Sequence, residues 1–301
     1  MREVRVPAFA KVNLRLDILG KRADGYHELR TIFQTISLHD ELRLRISRRL
    51  GISLTIRGDE KLSHEPFQKN LVYRAVDSLR RELKIRVGVE IELRKKIPAG
   101  RGLGGGSSDA AAALLGFLRL IDKKLPAPRL IEIAASLGAD VPFFLFGGRA
   151  LGINKGDEIY PLPGISKHSL LVVSPRDIHV PTSDAYRWLA APQLATLTKS
   201  RANSKLLGFC ALCWSAQESG LSNDFERPVF RRYRRLAQIK RRLLHGGATE
   251  ALLAGSGSAV FGVFPSPAKA RRAAVGFPQD QTFVCETVSR GRYARLVKGT
   301  P

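Results

Sequence analysis

The sequence predicts an α+β protein of two packed lobes with a ligand cleft between them. Its 301 residues are enough for about two domains. The first half alternates strand-like and helical segments around a glycine-rich loop, and the second half is again a mixture of strands and helices. A proline-rich stretch at 161–164 separates the halves. We therefore expect one domain at 1–164 and a second at 165–301.

The elements of the first half are predicted from apolar periodicity. Alternation of apolar and polar residues predicts strands, and apolar residues recurring every fourth position predict helices. The strands are expected at 4–19, 29–38, 41–46, 52–56 and 87–93, and the helices at 70–83, 107–121 and 130–137. Ser107 or Ser108 is expected to cap the second of these helices, because a serine hydroxyl accepts hydrogen bonds from free backbone N–H groups.

The second half is predicted by the same patterns. Strands are expected at 169–174, 259–264 and 283–288, and helices at 228–244 and 269–275. Pro228 is acceptable in the first helical turn, where no backbone N–H is needed. In the long helix the expected buried stripe consists of Phe230, Tyr233, Ala237 and Leu244.

Composition excludes several classes of protein. Three cysteines cannot staple a chain of this length, and Cys210 and Cys213 lack a second Cys/His pair for zinc, so buried thiols are expected. Neither a secretory signal nor an apolar run of about 20 residues is visible, which predicts a soluble cytoplasmic protein. Lys and Arg number 50 against 27 Asp and Glu, a net charge of +23. Such a field attracts phosphates and polyanions.

The charge alone would also suit a nucleic-acid-binding protein. The best candidate segment is the basic run 231–242 of the predicted helix. A solvated helix face is the simpler interpretation, since the basic residues are spread along the chain and no RNA-binding signature is present. We therefore expect no specific nucleic-acid partner.

The glycine-rich loop at 98–109 is the strongest local motif. It places five glycines within seven residues, at Gly100, Gly102, Gly104, Gly105 and Gly106. Glycines allow positive φ angles, and their N–H groups can form a nest for an anion. The helix after the loop adds free N–H groups and a partial positive charge, which favours a bound phosphate.

Other interpretations of this loop are weaker. Its Gly-x-Gly-x-x-Gly spacing matches the dinucleotide fingerprint, but Asp122, at the spacing of a ribose contact, ends the same helix and not a following strand. No G-x-x-x-x-G-K-[ST] motif occurs in the chain. A glycine turn without a ligand is the remaining alternative.

Three further features carry polar chemistry in apolar surroundings. Asp140 lies between Gly138 and an apolar run, as a catalytic base or as a satisfied turn carboxylate. Lys11 and Asn13 are two apart, hence on one face of a strand, where the lysine needs a partner unless it snorkels at an edge. The Gly-Ser-Gly-Ser segment at 255–258 either closes over the same ligand or forms a tight turn.

Three of these motifs resemble those of the GHMP kinase superfamily. In chain order they are PAFAKVNL at 7–14, PAGRGLGGGSSDAA at 98–111 and GSGSAVFG at 255–262. RADGYHEL at 22–29, GADVPFF at 138–144 and SNDFE at 222–226 resemble the branch that acts on 4-diphosphocytidyl-2-C-methyl-D-erythritol. The resemblance extends over about 7–264. It implies an N-terminal ATP-binding lobe, a C-terminal ferredoxin-like lobe and an active site in the cleft between them.

The resemblance implies transfer of the ATP γ-phosphoryl group to a tertiary 2-hydroxyl in the non-mevalonate isoprenoid pathway. Asp140 would take the hydroxyl proton, and Lys11 beside it would keep it ionised and stabilise developing charge. Mg²⁺ is expected on the ATP phosphates, with Ser108 as the candidate protein ligand. The partners would be ATP and a small cytidyl molecule, without a membrane, and the chain a monomer or weak homodimer. Another GHMP kinase, acting on mevalonate, homoserine or a sugar, is the alternative that the Gly-Tyr-His segment at 25–27 disfavours.

The resemblance also assigns binding residues. Those implied for ATP are Pro98, Gly100, Gly102, Leu103, Gly104, Gly105, Gly106, Ser107, Ser108, Asn70, Leu71 and Lys95. Those implied for the cytidyl substrate are Asn13, Tyr26, His27, Thr182, Tyr186, Gly255 and Ser256. Tyr26 and Tyr186 would flank the base and His27 would bind its edge, although Tyr26 could also be a simple turn aromatic. The loop departs from the family pattern at Arg101, as a further ATP-binding cation or a solvated one, and 191–221 and the tail after 275 match poorly.

Overall fold

A computed structural model describes residues 2–189 and 221–298. Its strands are β1 (Glu3–Lys21), β2 (His27–Ser47), β3 (Ile52–Arg57), β4 (Gly88–Arg94), β5 (Arg149–Ile153), β6 (Glu158–Pro161), β7 (Ser169–Ser174), β8 (Ser222–Asn223), β9 (Glu250–Leu253), β10 (Val260–Phe264) and β11 (Gln281–Glu286). Its helices are α1 (Glu60–His64), α2 (Leu71–Glu82), α3 (Gly105–Ile121), α4 (Ala127–Leu137), α5 (Phe143–Phe146), α6 (Thr182–Trp188), α7 (Glu226–Arg232), α8 (Arg234–His245), α9 (Pro267–Ala274) and α10 (Arg290–Lys298), with a 3₁₀ turn at Phe67–Lys69.

The larger sheet is built on the long antiparallel pair β1 and β2. Its order is β3-β4-β2-β1-β8, and β5 and β6 extend from β2 as a branch. The sequence predicted two strands, 29–38 and 41–46, where β2 is continuous. The polar residues between them do not form a turn, because His39 and Asp40 pair with Phe9 and Ala8 of β1.

The smaller sheet confirms the predicted ferredoxin-like lobe. Its four strands are antiparallel in the order β11-β7-β10-β9. One face packs on the helices around Val229, Leu236 and Ala270. The other face packs on the larger sheet through residues such as Val12 and Phe261. The two lobes therefore share an apolar interface, and the α+β, two-lobed prediction is confirmed.

The C-terminal helix α10 does not pack with the lobe that precedes it. Tyr293 and Val297 are buried in the core of the first lobe, as is Val288 just before the helix. Strand β8 likewise pairs with β1 of the larger sheet. Segments from beyond 165 therefore pack with the first lobe. Apolar periodicity did not predict α10, nor the short elements α1, α5, α6, β5, β6, β8 and β9.

The start of α3 differs from the expected serine cap. The helix begins at Gly105, and the capping position belongs to Gly104, whose φ is +71°. Ser107 and Ser108 already lie inside the first turn, and the Ser108 N–H donates to the Gly104 carbonyl at 2.9 Å. The expectation that one of them caps the helix was wrong, because glycine reaches the left-handed region more easily than any other residue.

The basic segment predicted as one helix at 228–244 is two helices, α7 and α8, that meet at Tyr233. There φ is −120° and ψ is 79°, outside the helical region. The predicted stripe is wrong because it is displaced by one position from the buried one. The buried positions are Val229, Leu236, Ile239 and Leu243, whereas Leu244 is 40% exposed. The other second-half elements lie within two residues of their predicted bounds.

The two cysteines expected to be buried thiols and the expected lack of a membrane span concern the chain outside the loops described above. Cys210 and Cys213 lie outside the described residues. Across 2–189 and 221–298, no helix combines the length and the apolar character that crossing a membrane would require.

Candidate active site

A cavity of about 1160 Å³ lies between the two lobes. Both glycine loops, the Lys11 and Asp140 side chains and the segment around Tyr26 contribute to its wall. Every residue that the sequence assigned to ATP, substrate or catalysis lines this cavity except Ser108. The fold thus brings together segments that are separated by up to about 240 positions along the chain.

The phosphate loop needs its glycines for geometry as well as for flexibility. Gly100, Gly102 and Gly104 have φ angles of +65°, +79° and +71°, which other residues rarely adopt. A Cβ on Gly102 would lie 1.8 Å from the Ala254 carbonyl oxygen. The loop continues directly into α3, so the free N–H groups of the first helical turn point to the same anion position.

Lys11 is at the centre of a short polar chain on the floor of the cavity. Its Nζ donates to Asn13 Oδ1 at 2.8 Å and lies 3.4 Å from Asp140 Oδ2. Asn13 Nδ2 in turn donates to Thr31 Oγ1 at 2.6 Å. The lysine therefore has the polar partners that a charge in an apolar strand requires, and the amide of Asn13 is held in one orientation.

Asp140 is held between two anchored elements. Helix α4 ends at Gly138, and the buried ring of Phe144 in α5 fixes the chain on the other side. A Cβ on Gly104 would lie 2.9 Å from the Phe144 ring and 3.0 Å from Lys11 Cγ. The Asp140 side chain remains 33% exposed to the cavity, where a hydroxyl group can reach it.

The aromatic end of the cavity differs in detail from the expected sandwich. The His27 ring stacks on Tyr186 with centroids 4.6 Å apart, and Tyr186 meets Phe225 edge-on. Tyr26 is 60% exposed, and Lys155 Nζ lies 4.7 Å from its ring centroid. One face of Tyr186 is therefore covered by His27, which the sequence analysis expected at the edge of the base.

Burial controls the ionisation of this end. It lowers the pKa of His27 below its ordinary value of 6.5, with a smaller contribution from the Lys21 charge. Burial also raises the pKa of Tyr186, and the Asp140 charge adds to this effect. Both rings are therefore neutral at pH 7, and a neutral imidazole can both donate and accept a hydrogen bond.

Two supporting groups escaped the sequence analysis. Arg22 binds Asp24, Glu28 and Asn154, which fixes the turn that carries Tyr26. Asn154 adopts a φ of +64° in the turn between β5 and β6. In the sequence, the signal for the role of Asn154 was the turn-like Asn-Lys-Gly at 154–156.

The second glycine–serine loop is held by the segment at 222–226. Asn223 Nδ2 donates to the Leu253 and Gly255 carbonyls at 2.9 and 2.7 Å. Ser256 Oγ lies 3.1 Å from Thr182 Oγ1, so both predicted substrate residues meet at the cavity wall. The resemblance singled out this segment without giving it a role, and its geometry supplies one.

Lys95 is buried behind the phosphate loop in a cluster with two carboxylates. Its Nζ lies 2.5 Å from Asp40 Oδ2 and 2.6 Å from Asp109 Oδ2. Asp40 also accepts hydrogen bonds from the backbone of Lys96 and Ile97, whereas Asp109 Oδ1 has no partner. One ammonium cannot neutralise two buried carboxylates, and burial raises the pKa of Asp109 to about 8.

The expected metal ligand Ser108 is buried, and its Oγ has no hydrogen-bond partner. Within the described residues no cluster of three acidic, His or Cys side chains could hold a metal on its own. Mg²⁺ usually keeps several waters and takes further ligands from nucleotide phosphates. Ser107 and Asp140 both line the cavity, and a hydroxyl and a carboxylate oxygen suit an ion that arrives with a nucleotide.

This two-lobed fold, with a phosphate loop that faces a lysine–aspartate pair, defines a class of small-molecule phosphotransferases. Family models agree: that of the GHMP kinases N terminal domain matches residues 70–148, and that of GHMP kinases C terminal matches 210–280.

Relatives give a finer classification. The chain is 44% identical over 298 residues to a 4-diphosphocytidyl-2-C-methyl-D-erythritol kinase of Solibacter usitatus, covering 98% of this chain and 92% of the relative. It is 43% identical over 276 residues to a protein of the same name from Citrifermentans bemidjiense, covering 91% and 94%. The chain belongs to the GHMP kinases, in the family of 4-diphosphocytidyl-2-C-methyl-D-erythritol kinases, and is an ATP-dependent small-molecule kinase.

Solved structures agree with this. A crystal structure of 4-(cytidine 5'-diphospho)-2C-methyl-D-erythritol kinase superposes with a TM-score of 0.76 at 33% identity, covering 94% of this chain and 99% of that one. A homoserine kinase from Cytophaga hutchinsonii gives 0.70 at 21% identity, covering 96% and 95%. At that identity the second likeness shows the fold alone.

Proposed function

We propose that this chain transfers the γ-phosphoryl group of ATP to the tertiary 2-hydroxyl of 4-diphosphocytidyl-2-C-methyl-D-erythritol, in the non-mevalonate route to isoprenoid precursors. The relatives' names support this substrate. The observation that carries the proposal is the Lys11–Asp140 pair, 3.4 Å apart, in a cavity that has the phosphate loop in one wall and the aromatic residues in another.

The proposed step needs few groups. The substrate hydroxyl oxygen attacks the γ-phosphorus, the bond to the bridging oxygen of ADP breaks, and the hydroxyl proton passes to the Asp140 carboxylate. Lys11 lies within reach of Asp140 and under the loop, where its charge stabilises the transferring phosphoryl group. Because Lys11 is also hydrogen-bonded to Asn13, its ammonium is oriented before the substrate arrives.

The Mg²⁺ ion expected with ATP would neutralise charge on the phosphates. Ser107 is the serine of the phosphate loop that lines the cavity, so we propose its hydroxyl as the candidate ligand from the chain. The predicted ligand Ser108 would have to turn its buried Oγ toward the cavity.

We propose that cytosine binds at the aromatic end. The exposed Tyr26 ring offers a stacking surface, and neutral His27 offers a donor and an acceptor to the base edge. Since His27 stacks on Tyr186, a base that occupies the Tyr186 face has to displace the imidazole toward the base edge.

A direct substrate comparison tests the proposal. The purified chain is incubated with Mg²⁺-ATP and, in separate reactions, the diphosphocytidyl substrate, mevalonate or homoserine, and ADP release is measured. We expect turnover with the diphosphocytidyl substrate, at a kcat/KM at least about 10³-fold above the other two. Turnover of mevalonate or homoserine alone would refute the substrate assignment and leave the chain another member of the superfamily.

The role of Asp140 predicts a loss of transfer without a loss of nucleotide binding. Asp140→Asn removes the proton acceptor but keeps the size of the side chain, so we expect kcat to fall about 10²–10⁴-fold. Asp122→Asn is the matched control, because Asp122 is 85% exposed and ends α3 outside the cavity. A kcat for Asp140→Asn within threefold of the parent would exclude this carboxylate as the base.

A further inference from the structure

Three consecutive residues of the phosphate loop, Gly100, Arg101 and Gly102, are in close contact with the second lobe. A Cβ on Gly100 would lie 2.7 Å from the ring of His179, and one on Gly102 would collide with the Ala254 carbonyl. Between them, the Arg101 carbonyl accepts a hydrogen bond from the Ala259 N–H at 3.2 Å. The loop that is expected to hold phosphate therefore depends for its position on residues at least 75 positions away in the chain.

The Arg101 side chain adds two hydrogen bonds to these contacts between the loop and the second lobe. Its Nη1 donates to Ser258 Oγ at 2.8 Å, and its Nη2 donates to the Arg176 carbonyl at 3.2 Å. Ser258 is the buried last residue of the second glycine–serine loop and donates to the Ile178 carbonyl at 2.6 Å. A chain of hydrogen bonds thus links the first glycine loop, the second glycine–serine loop and the segment after β7.

The charge of Arg101 is not neutralised by an ion pair. Both of its hydrogen-bond partners are neutral, and no carboxylate among the described residues forms an ion pair with it. The Asp177 carboxylate acts on it only from a distance and is itself hydrogen-bonded to Arg235. The guanidinium is partly buried, and this burial lowers the pKa of Arg101. A guanidinium whose hydrogen-bond partners are neutral can still attract an anion bound in the adjacent nest.

We propose that Arg101, where the loop departs from the family pattern, is a positioning residue for ATP: it fixes the phosphate loop to the second glycine–serine loop through Ser258. The proposal shares with the proposed function only the premise that ATP binds this loop. It does not depend on which alcohol is phosphorylated, nor on Asp140 as the base. The proposal refines the first of the two interpretations, a further ATP-binding cation, because hydrogen bonds hold the guanidinium in one place beside the loop.

Binding of a non-hydrolysable nucleotide tests this without any acceptor substrate. The Kd of Mg²⁺-AMPPNP is measured by calorimetry for the parent, Arg101→Ala, Ser258→Ala and the double variant. We expect Arg101→Ala to weaken binding about 5- to 20-fold, because a charge-assisted hydrogen bond and an uncompensated charge are lost. Arg101→Lys keeps the charge and one donor, and should recover binding to within threefold of the parent.

The double variant shows whether Arg101 and Ser258 contribute to nucleotide binding through their shared hydrogen bond or independently of each other. If Arg101 acts through Ser258, removing both should weaken binding no more than about twofold beyond Arg101→Ala alone. If the fold-increases in Kd of the two single variants multiplied in the double variant, the proposed coupling through Ser258 would be refuted. Because Ser258 is buried, Ser258→Cys provides a second variant of similar volume with a much weaker acceptor, which should give the same non-additivity should Ser258→Ala fold poorly.

A control and a second readout exclude a general loss of stability. Arg86 is exposed and outside the cavity, so Arg86→Ala should leave the Kd unchanged. In turnover assays Arg101→Ala should raise the KM for ATP by the same factor as the Kd while the KM for the alcohol changes less than twofold. A Kd within twofold of the parent for Arg101→Ala, or a lower melting temperature with unchanged Kd, would overturn the proposal.

Discussion

Lys11 shows how one side chain can be buried and charged at little cost. Its ammonium lies beside the Asp140 carboxylate, donates to Asn13 and lies 5.4 Å from the centroid of the Phe33 ring. A buried charge without such partners would cost several kcal/mol. The same contacts that stabilise the lysine also aim it at the cavity, so the stability and the chemistry of this residue have one physical origin.

Gly102 is predicted to be the least replaceable glycine of the loop. Gly102→Ala adds a Cβ 1.8 Å from the Ala254 carbonyl at a φ of +79°, so both the backbone and its neighbour would have to move. We expect a loss of at least about 2 kcal/mol in the free energy of unfolding, measured by urea denaturation, together with at least tenfold weaker binding of Mg²⁺-AMPPNP.

Gly164→Ala is the matched control for that substitution. No atom lies within 4 Å of a Cβ at Gly164, and its φ is outside the left-handed region. We expect a change of less than about 0.5 kcal/mol there. If the two variants lost equal stability, the close approach of the two loops would not be a property of the folded protein.

Asp109 gives a prediction about pH. Burial raises the pKa of Asp109 to about 8, so at neutral pH the folded protein holds a proton that the unfolded chain, with an ordinary value of 3.8, has released. This contribution to stability is complete at low pH and is lost as the pH rises toward 8. Asp109→Asn removes the titration while its oxygen can still accept from Lys95.

The expected result is a difference in slope between the two proteins. From pH 5 to pH 8 the parent should lose stability relative to Asp109→Asn by at most about 1.4 kcal/mol per pH unit, measured by chemical denaturation at each pH. Asp122→Asn, an exposed position, should follow the parent. Parallel curves for the parent and Asp109→Asn would mean that Asp109 is ionised in the folded protein.

Helix α10 acts as an element that supports the catalytic segment from behind. The buried ring of Tyr293 fills the space over Gly147, where a Cβ would lie 2.2 Å from the ring, and its hydroxyl donates to the Phe144 carbonyl. Phe144 in turn contacts the phosphate loop near Gly104. The end of the chain thereby contributes to the placement of Asp140.

This packing predicts a large effect from a residue remote from the ligand. Tyr293→Ala should lower the free energy of unfolding by about 3–5 kcal/mol, since it leaves a cavity under α5, and kcat should fall with it. Tyr293→Phe, which removes only the hydroxyl, should lower it by about 1 kcal/mol. Leu296→Ala is the control on the same helix, because Leu296 is 45% exposed. Equal losses for Tyr293→Ala and Leu296→Ala in thermal melts would contradict this role of α10.

The helix pair α7–α8 shows where prediction of an element fails. Apolar residues every third or fourth position correctly indicated helix, but the predicted stripe is displaced by one residue. The buried positions Val229, Leu236 and Leu243 are seven residues apart, so they share one face despite the break at Tyr233. The neighbouring stripe through Phe230 and Leu244 has the same spacing, so periodicity alone does not decide which of the two faces the core.

Over the whole molecule, the net charge of +23 is mostly unrelated to the cleft. We expect the KM for ATP to rise several-fold between about 0.05 and 0.5 M NaCl, because salt screens the attraction between a polyanionic ligand and cations at the cavity wall such as Lys11 and Arg101. Arg241→Glu with Arg271→Glu changes two exposed positions outside the cavity. This double variant should bind heparin more weakly and keep the ATP KM within about twofold at about 0.15 M salt. A large KM change in it would mean that the distributed charge is part of nucleotide binding.

By itself the sequence determined the α+β class, the two lobes, the phosphate loop and the candidate polar residues, because these depend on local periodicity, glycine conformation and residue chemistry. Only the tertiary structure decided which of these groups meet. The pairing of Lys11 with Asp140, the stacking of His27 on Tyr186 and the grip of the second lobe on Arg101 join residues far apart in the chain. Such contacts depend on how sheets and loops pack, and packing between distant segments leaves no periodic signal in one sequence.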